Sequence, residues 1–129
     1  MATVLRPARW RVVIANLDPA VGHEQGGRRR ALVVSRDSFL ASGRATVCPI
    51  TAARSQRRYP REVAIPRGEA GQTRDGVILV HQVRTISLTR VTGHIGVVTS
   101  GLVRHEVRQA LRLHFGLDIP EEEDVGSGT

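Results

Sequence analysis

The chain has 129 residues, 40% of them hydrophobic, a length and composition that suit one domain with one real core. Its single cysteine, Cys48, excludes a disulfide framework and a cysteine-based zinc site, and no apolar run approaches the ~18 residues that a membrane span needs. The net charge is +7, and all 19 basic residues are arginine, which binds phosphate bidentately where lysine acts as a point charge.

Arg6, Arg9 and Arg11 break up any signal-peptide core at the N-terminus, so a reduced, cytoplasmic compartment is expected. Residues 1–8 read as a disordered lead. Val12–Asn16 reads as a short strand buried on both faces. The long loop Asn16–Ala31 (NLDPAVGHEQGGRRRA) follows, and its glycines and consecutive arginines suit an anion approached closely by backbone. Ala31–Ser35 is a second strand, rich in β-branched residues. Arg36–Gly43 is a polar connection with one helical turn at most. Ala45–Ile50 is a third strand, and Pro49 within it predicts an edge position or a bulge. Thr51 is expected where that strand leaves the sheet.

Ala52–Arg61 forms a second polar loop with four arginines and Tyr59. Glu62–Ile65 is a fourth strand, stopped by Pro66. Arg67–Gly76 is turn-rich. Val77–Ile86 is one bent strand, or two strands meeting near His81–Gln82. Ser87–Gly96 holds a helical turn and a brief strand at His94–Ile95. Thr99–Gly116 is the one clear helix, with Val103, Val107, Ala110, Leu111 and His114 on its packing face and Arg104, Arg108 and Arg112 on the other. The fold expected is mainly β with a C-terminal helix, a partly closed barrel rather than a flat sheet.

Charge is uneven along the chain. Glu121, Glu122, Glu123 and Asp124 lie in an acidic tail, 119–129, expected to be disordered, whereas the single domain 1–118 carries 19 basic and 8 acidic residues. Such a body attracts polyanions, either nucleic acid or an acidic protein.

If the ligand is RNA, cleavage by its own 2′-hydroxyl needs a base, charge stabilisation at the phosphate and protonation of the leaving 5′ oxygen, and no metal. Outside the tail the chain has no HxH, HExxH or closely spaced carboxylate pair, so neither a metal nor another cofactor is expected. Glu24 or His23 can act as the base. Arg28, Arg29 or Arg30 can stabilise the phosphate, and Thr51 can donate a hydroxyl hydrogen bond to it. A pure binding loop has the same composition, and Thr51 reads equally as a turn residue bonded to local backbone. Gln82 can reach a base edge or make a structural hydrogen bond. Cys48 reads as buried filler. His94 and His114 read as structural and His105 as surface.

Four segments in order, NLDPAVGHEQGGRRRALVVS, CPIT, YPREV and VILVHQVRTI, followed by a closing helix, resemble the pattern of the MazF/PemK ribonuclease toxins over roughly residues 9–117. The resemblance implies an SH3-like barrel acting as a homodimer. It implies metal-independent cleavage of single-stranded messenger RNA at short motifs, leaving 2′,3′-cyclic phosphate and 5′-hydroxyl ends. It also implies a type II toxin–antitoxin pair, in which an acidic MazE/PemI-like antitoxin neutralises the toxin and operator DNA is reached through their complex. The family's catalytic arginine maps onto Arg29, its threonine onto Thr51 and the glutamate of EQGG onto Glu24. Gln82 matches the glutamine of the late strand motif, carried over as an RNA contact, and Arg28, Arg30 and His23 remain the loop's own candidates for substrate binding. Arg30 stands where the family has proline, Arg9–Trp10–Arg11 replaces an RG-D/E pattern, and Asn16 replaces a common aspartate. Two other readings are a toxin of the same superfamily that inhibits DNA gyrase without nuclease activity, and a degenerate barrel that binds nucleic acid uncut.

Overall fold

A computed structural model describes residues 7–53 and 61–120. The expectations for residues 1–6, for most of the second polar loop with Tyr59, and for the acidic run 121–129 lie outside the described residues.

Seven antiparallel strands form the body: β1 (Arg11–Asn16), β2 (Arg28–Val33), β3 (Arg44–Ala52), β4 (Glu62–Ile65), β5 (Gly76–Leu79), β6 (Arg84–Ser87) and β7 (Val91–Val97). Their order is β4-β5-β3-β2-β1-β7, with β6 also on β3. No pairing joins β4 to β7 among the described residues, so the barrel is open. The helix α1 (Gly101–Phe115) closes one face.

The mainly β fold with a C-terminal helix is as the sequence predicts. Val12 enters the core beneath α1, with Leu32, Cys48, Ile50, Ile78, Val103 and Val107. Val13, Ala15, Ala31, Val33 and Val47 enter a second core on the other face. Both faces of β1 are therefore buried, and a one-residue slip of its register would exchange the two sets.

α1 begins where Ser100 Oγ accepts the Val103 N–H at 3.2 Å, and Glu69 caps it from outside by accepting the Thr99 and Ser100 N–H groups at 2.8 and 2.6 Å. That carboxylate also complements the helix dipole. The helix stops at Gly116, whose left-handed φ of 62° lets Leu117 N–H reach back to the Arg112 carbonyl at 3.1 Å. Val103, Val107 and Ala110 are buried as predicted, but His114 is exposed, one turn beyond the sheet's cover.

Three findings differ from the expected elements. β2 starts at Arg28, so the three arginines lie on a strand and not in the loop, held there by pairing with Ile14, Ala15 and Asn16. The connection after β2 is a six-residue 3-10 helix, Asp37–Ser42, longer than one turn. Pro49 is buried in a central strand, not an edge. β3 pairs β6 through Val47 and β5 from Ile50, and Pro49, lacking an N–H, sits in the gap between those partners. Val77–Ile86 takes the second of its two expected forms, two strands joined by the 3-10 turn Val80–Gln82, which places Gln82 in that turn.

Candidate active site

The connection from Leu17 to Gly27 is built by its own short polar side chains. Asn16 Oδ1 accepts the Asp18 N–H at 3.0 Å, Asp18 Oδ1 accepts the Gly27 N–H at 2.8 Å, and Leu17 N–H donates to the Gly27 carbonyl at 2.9 Å. Gly26 cannot be anything larger, because a Cβ there would stand 2.8 Å from Asp18 Oδ1 and from Ala20 Cβ. Leu17, fully buried, anchors the first turn.

Three side chains from the stretch between Gln82 and Arg90 hold this loop from outside. Arg84 Nη1 donates to the Leu17 carbonyl at 2.9 Å, and Arg90 Nη1 donates to the Asn16 and Asp18 carbonyls. Gln82 does most for the middle of the loop. Its Oε1 accepts the Gln25 N–H at 2.9 Å and its Nε2 donates to the His23 carbonyl at 3.3 Å. Both ends of the Gln82 amide are thus engaged with backbone.

The loop delivers the chain into β2. Strand alternation sends Arg29 to the face of Ala31 and Val33, and Arg28 and Arg30 to the face of Leu32. On β3, Ile50 joins the same core as Leu32, so Thr51 projects to the opposite side, as Arg29 does. Arg29 is fixed at its stem, where Nε donates to the Gly26 carbonyl at 2.8 Å. Thr51 is half-buried, pairs with Val77, and its hydroxyl has no hydrogen-bond partner among the described residues.

Arg28, Arg29, Arg30 and Thr51 line one open cavity of about 350 Å³, together with Ile14, Ile50, Ala52 and Arg74. Among the described residues its lining holds four arginines and no Asp or Glu; Arg28 and Arg30 face it from the side of Ile50, and Arg29 and Thr51 border it from the other. Burial, and then the neighbouring Arg74, pull Arg30 below the usual arginine range, as crowding of cations in a partly desolvated site must. Arg30 Nη1 donates to Gln72 Oε1. The proline that Arg30 replaces would have kept Arg29 extended. Here pairing of Arg30 with Ile14 and of Arg29 with Ala15 does so instead.

The predicted residues do not all share this cavity. Glu24 and Gln82 line a second one of about 220 Å³, with Gln25, Pro49, His81, Val83 and Arg84. Glu24 is exposed, and Oε1 accepts the Val21 N–H at 2.9 Å. His23 is exposed. Cys48 is fully buried, and burial pushes its thiol up to about 12, which suits filler and not a nucleophile. Among the described residues no group of three or more His, Cys, Asp or Glu is placed to hold a metal ion.

Sequence reasoning missed Arg74, Arg84 and Arg90. Arg84 was within reach, since it lies in VILVHQVRTI. Arg74 sits in a turn-rich connection with no pattern of its own.

Three comparisons bear on this geometry. The family described as PemK-like, MazF-like toxin of type II toxin-antitoxin system matches residues 8–115. Endoribonuclease EndoA of Bacillus subtilis is 37% identical over 110 residues, 84% of this chain and 94% of that protein. The crystal structure of MazF (Form-I) from Deinococcus radiodurans superposes with a TM-score of 0.73 at 32% identity, covering 85% of this chain and 96% of that one. A MazE-MazF structure (Form-II) from the same organism gives 0.65 at 26% identity, over 85% and 95% of the two chains. No helix among the described residues is long and apolar enough to cross a membrane. A match over nearly the whole described chain, with an arginine-lined cavity at the end of the glycine-rich loop, places this protein in the family of PemK-like, MazF-like toxins of type II toxin–antitoxin systems.

Proposed function

We propose that the chain is a metal-independent endoribonuclease that cuts single-stranded messenger RNA in the cytoplasm, as the toxin of its pair. The observation that carries this reading is that Arg29 and Thr51, on neighbouring strands, project to the same side at the rim of a cavity whose described lining carries four arginines and no carboxylate. A phosphodiester seated there meets guanidinium forks and a hydroxyl donor at the oxygens where negative charge grows. The 2′-oxygen attacks phosphorus as its proton leaves, the P–O5′ bond breaks, the departing 5′ oxygen takes a proton from water, and a 2′,3′-cyclic phosphate and a 5′-hydroxyl result. Arg29 stabilises the crowded phosphate, and Thr51 donates to a non-bridging oxygen. Glu24, the one carboxylate among the described residues that line the two cavities, takes the 2′ proton from a strand that spans both. Arg28, Arg30 and Arg74 hold flanking phosphates. His23 lies beside that path on the loop.

The relative from Bacillus subtilis is named an endoribonuclease and a Deinococcus structure is titled as a MazE-MazF complex, which supports RNA as substrate and an acidic antitoxin as partner. The basic body suits both polyanions, and operator DNA is reached through the antitoxin complex. The working form is a homodimer.

Incubating purified protein with single-stranded RNA in EDTA, and mapping the ends, tests the proposal. Cyclic-phosphate ends that vanish in Arg29→Ala are expected. RNA that is bound but uncut at every sequence tried would sink it in favour of a binding barrel, and gyrase-dependent DNA damage would favour the other toxin class.

A further inference from the structure

A second arginine cluster stands at the opposite end of β1 from the cavity. Its centre is Trp10, one residue before the strand. The backbone there is left-handed, with φ of 73°, an unusual conformation for a bulky residue. It is held on both sides, because Trp10 N–H donates to the Val33 carbonyl at 2.8 Å and its own carbonyl accepts the Val98 N–H at 2.7 Å. The indole is 5% exposed, and three guanidiniums lie over it: Arg9 at 5.0 Å, Arg104 at 5.3 Å and Arg108 at 5.9 Å from the ring centre. Two of the three helical arginines therefore lie over the ring, and Arg112 pairs instead with Asp118. Cation–π attraction gathers like charges that would otherwise part.

The cluster is short of counter-charge. Asp37 is the one carboxylate felt by Arg9, and its Oδ1 is occupied by the Arg9 backbone N–H at 2.7 Å. Burial, then Arg108, Arg36 and Arg104, pull the Arg9 side chain below its usual value, and Nε of Arg9 is buried without a hydrogen-bond partner. Arg9, Arg104 and Arg108 are thus gathered over one ring with Arg36 near enough to act on Arg9, and Arg104 Nε is held by the Val98 carbonyl at 2.8 Å, so the cluster makes a concentrated positive surface. Beside them, reached through Asp37 and Pro7, opens a cavity of about 560 Å³ floored by Leu40, Ala41 and Leu88. Phe39 is 37% exposed on the same 3-10 helix.

Charge alone fits RNA or a protein. The apolar cavity decides between them. An RNA strand would use phosphate contacts and an open aromatic face, but the Trp10 ring is already covered, and the cavity offers bases no stacking platform. A polypeptide with carboxylates next to a large apolar side chain uses both halves of the surface. We propose that the arginine cluster over Trp10 and the adjoining cavity form one docking surface for an acidic polypeptide segment carrying such an apolar anchor. It is separate from the RNA cavity, so both can be filled independently.

The test uses the full chain and fluorescein-labelled peptides read by anisotropy. The first peptide alternates Glu and Asp around one central Leu. The second has every acid changed to its amide, and the third has Leu changed to Ser. The fourth probe is an oligouridylate. Binding of the first peptide is expected, with at least a fivefold loss for the second and third. Arg104→Ala with Arg108→Ala should weaken it at least tenfold. Ala41→Trp, which fills the cavity and alters no charge, should weaken it about as much as the Leu→Ser peptide does, while RNA cleavage is unchanged in both variants. The proposal is overturned if the peptide ignores both variants, if the two arginine changes weaken oligouridylate instead, or if light scattering shows that they alter the oligomeric state, which would make this face a self-contact.

Discussion

Replacing Gln82 separates two meanings of the same side chain. The structure engages both ends of its amide with the loop, at Gln25 N–H and the His23 carbonyl. Gln82→Leu removes two hydrogen bonds, each worth about 0.5–1.5 kcal/mol net, and water reaches the half-buried site to offset part of the loss. A net cost of about 1–2 kcal/mol lowers the ratio of ordered to open loop about 5- to 30-fold. The loop delivers Glu24 and sets the stem of Arg29 through Gly26, so kcat/KM for RNA should fall by up to that factor. Gln82→Glu keeps the acceptor for Gln25 but loses the donor to His23, and it should fall between wild type and Gln82→Leu. Cleavage of a pool of random-sequence RNA, with ends sequenced, is the assay. A loop-holding role slows every cut site alike. If total rate stays constant and the spectrum of cut sites changes, Gln82 reads a base and the reasoning fails.

Trp10→Gly relieves a left-handed backbone worth about 1 kcal/mol but gives up a buried ring worth about 3–5 kcal/mol, so the net loss is about 2–4 kcal/mol. For a chain of 129 residues that is a fall in Tm of about 7–15 °C by calorimetry, and a rise would mean that the ring contributes less than the strain. Gly96→Ala would bring a Cβ to 2.6 Å from the Ala70 carbonyl. Backbone must then yield, at about 1–3 kcal/mol, and the shifted connection should carry Gln72 and Arg74 away from the cavity, which weaker RNA binding by anisotropy would reveal. Cys48, with its thiol pushed up to about 12 by burial, should resist iodoacetamide at pH 8 and react only after denaturation, as read by mass spectrometry. Folding holds its proton on. That contribution is complete below the ordinary thiol value and fades as pH climbs from there towards about 12, so alkaline pH lowers stability.

Much of this was legible because the apolar pattern and the tertiary pairing agree. Glu62–Ile65 is read to the residue, and the helix from Ser100 to Gly116 follows from its caps and its buried stripe. The arginines were read as loop because three charged residues carry no strand signal of their own. Their extended form comes from β1, whose apolar residues face them across the ladder. Pro49 misled for a related reason, since one strand changes partners and a proline fits the change. In the site, Arg29 and Thr51 were nameable from motif, but the division into two cavities was not. It depends on alternation along β2 and on a loop closed by Asp18, Gln82 and Arg90 from distant segments.

The change of partners in β3 also has a mechanical side. Arg29 belongs to the β1–β2–β7 wall and Thr51 to the part of β3 that pairs with β5. The two walls share this one nine-residue strand, and its partner on that side changes between Val47 and Ile50. The width of the cleft is therefore set by the angle between two plates about a common spine, and not by side-chain rotamers alone. A substitution at that spine, remote in chemistry from the phosphate, would retune which backbone geometry of a ligand the cleft accepts.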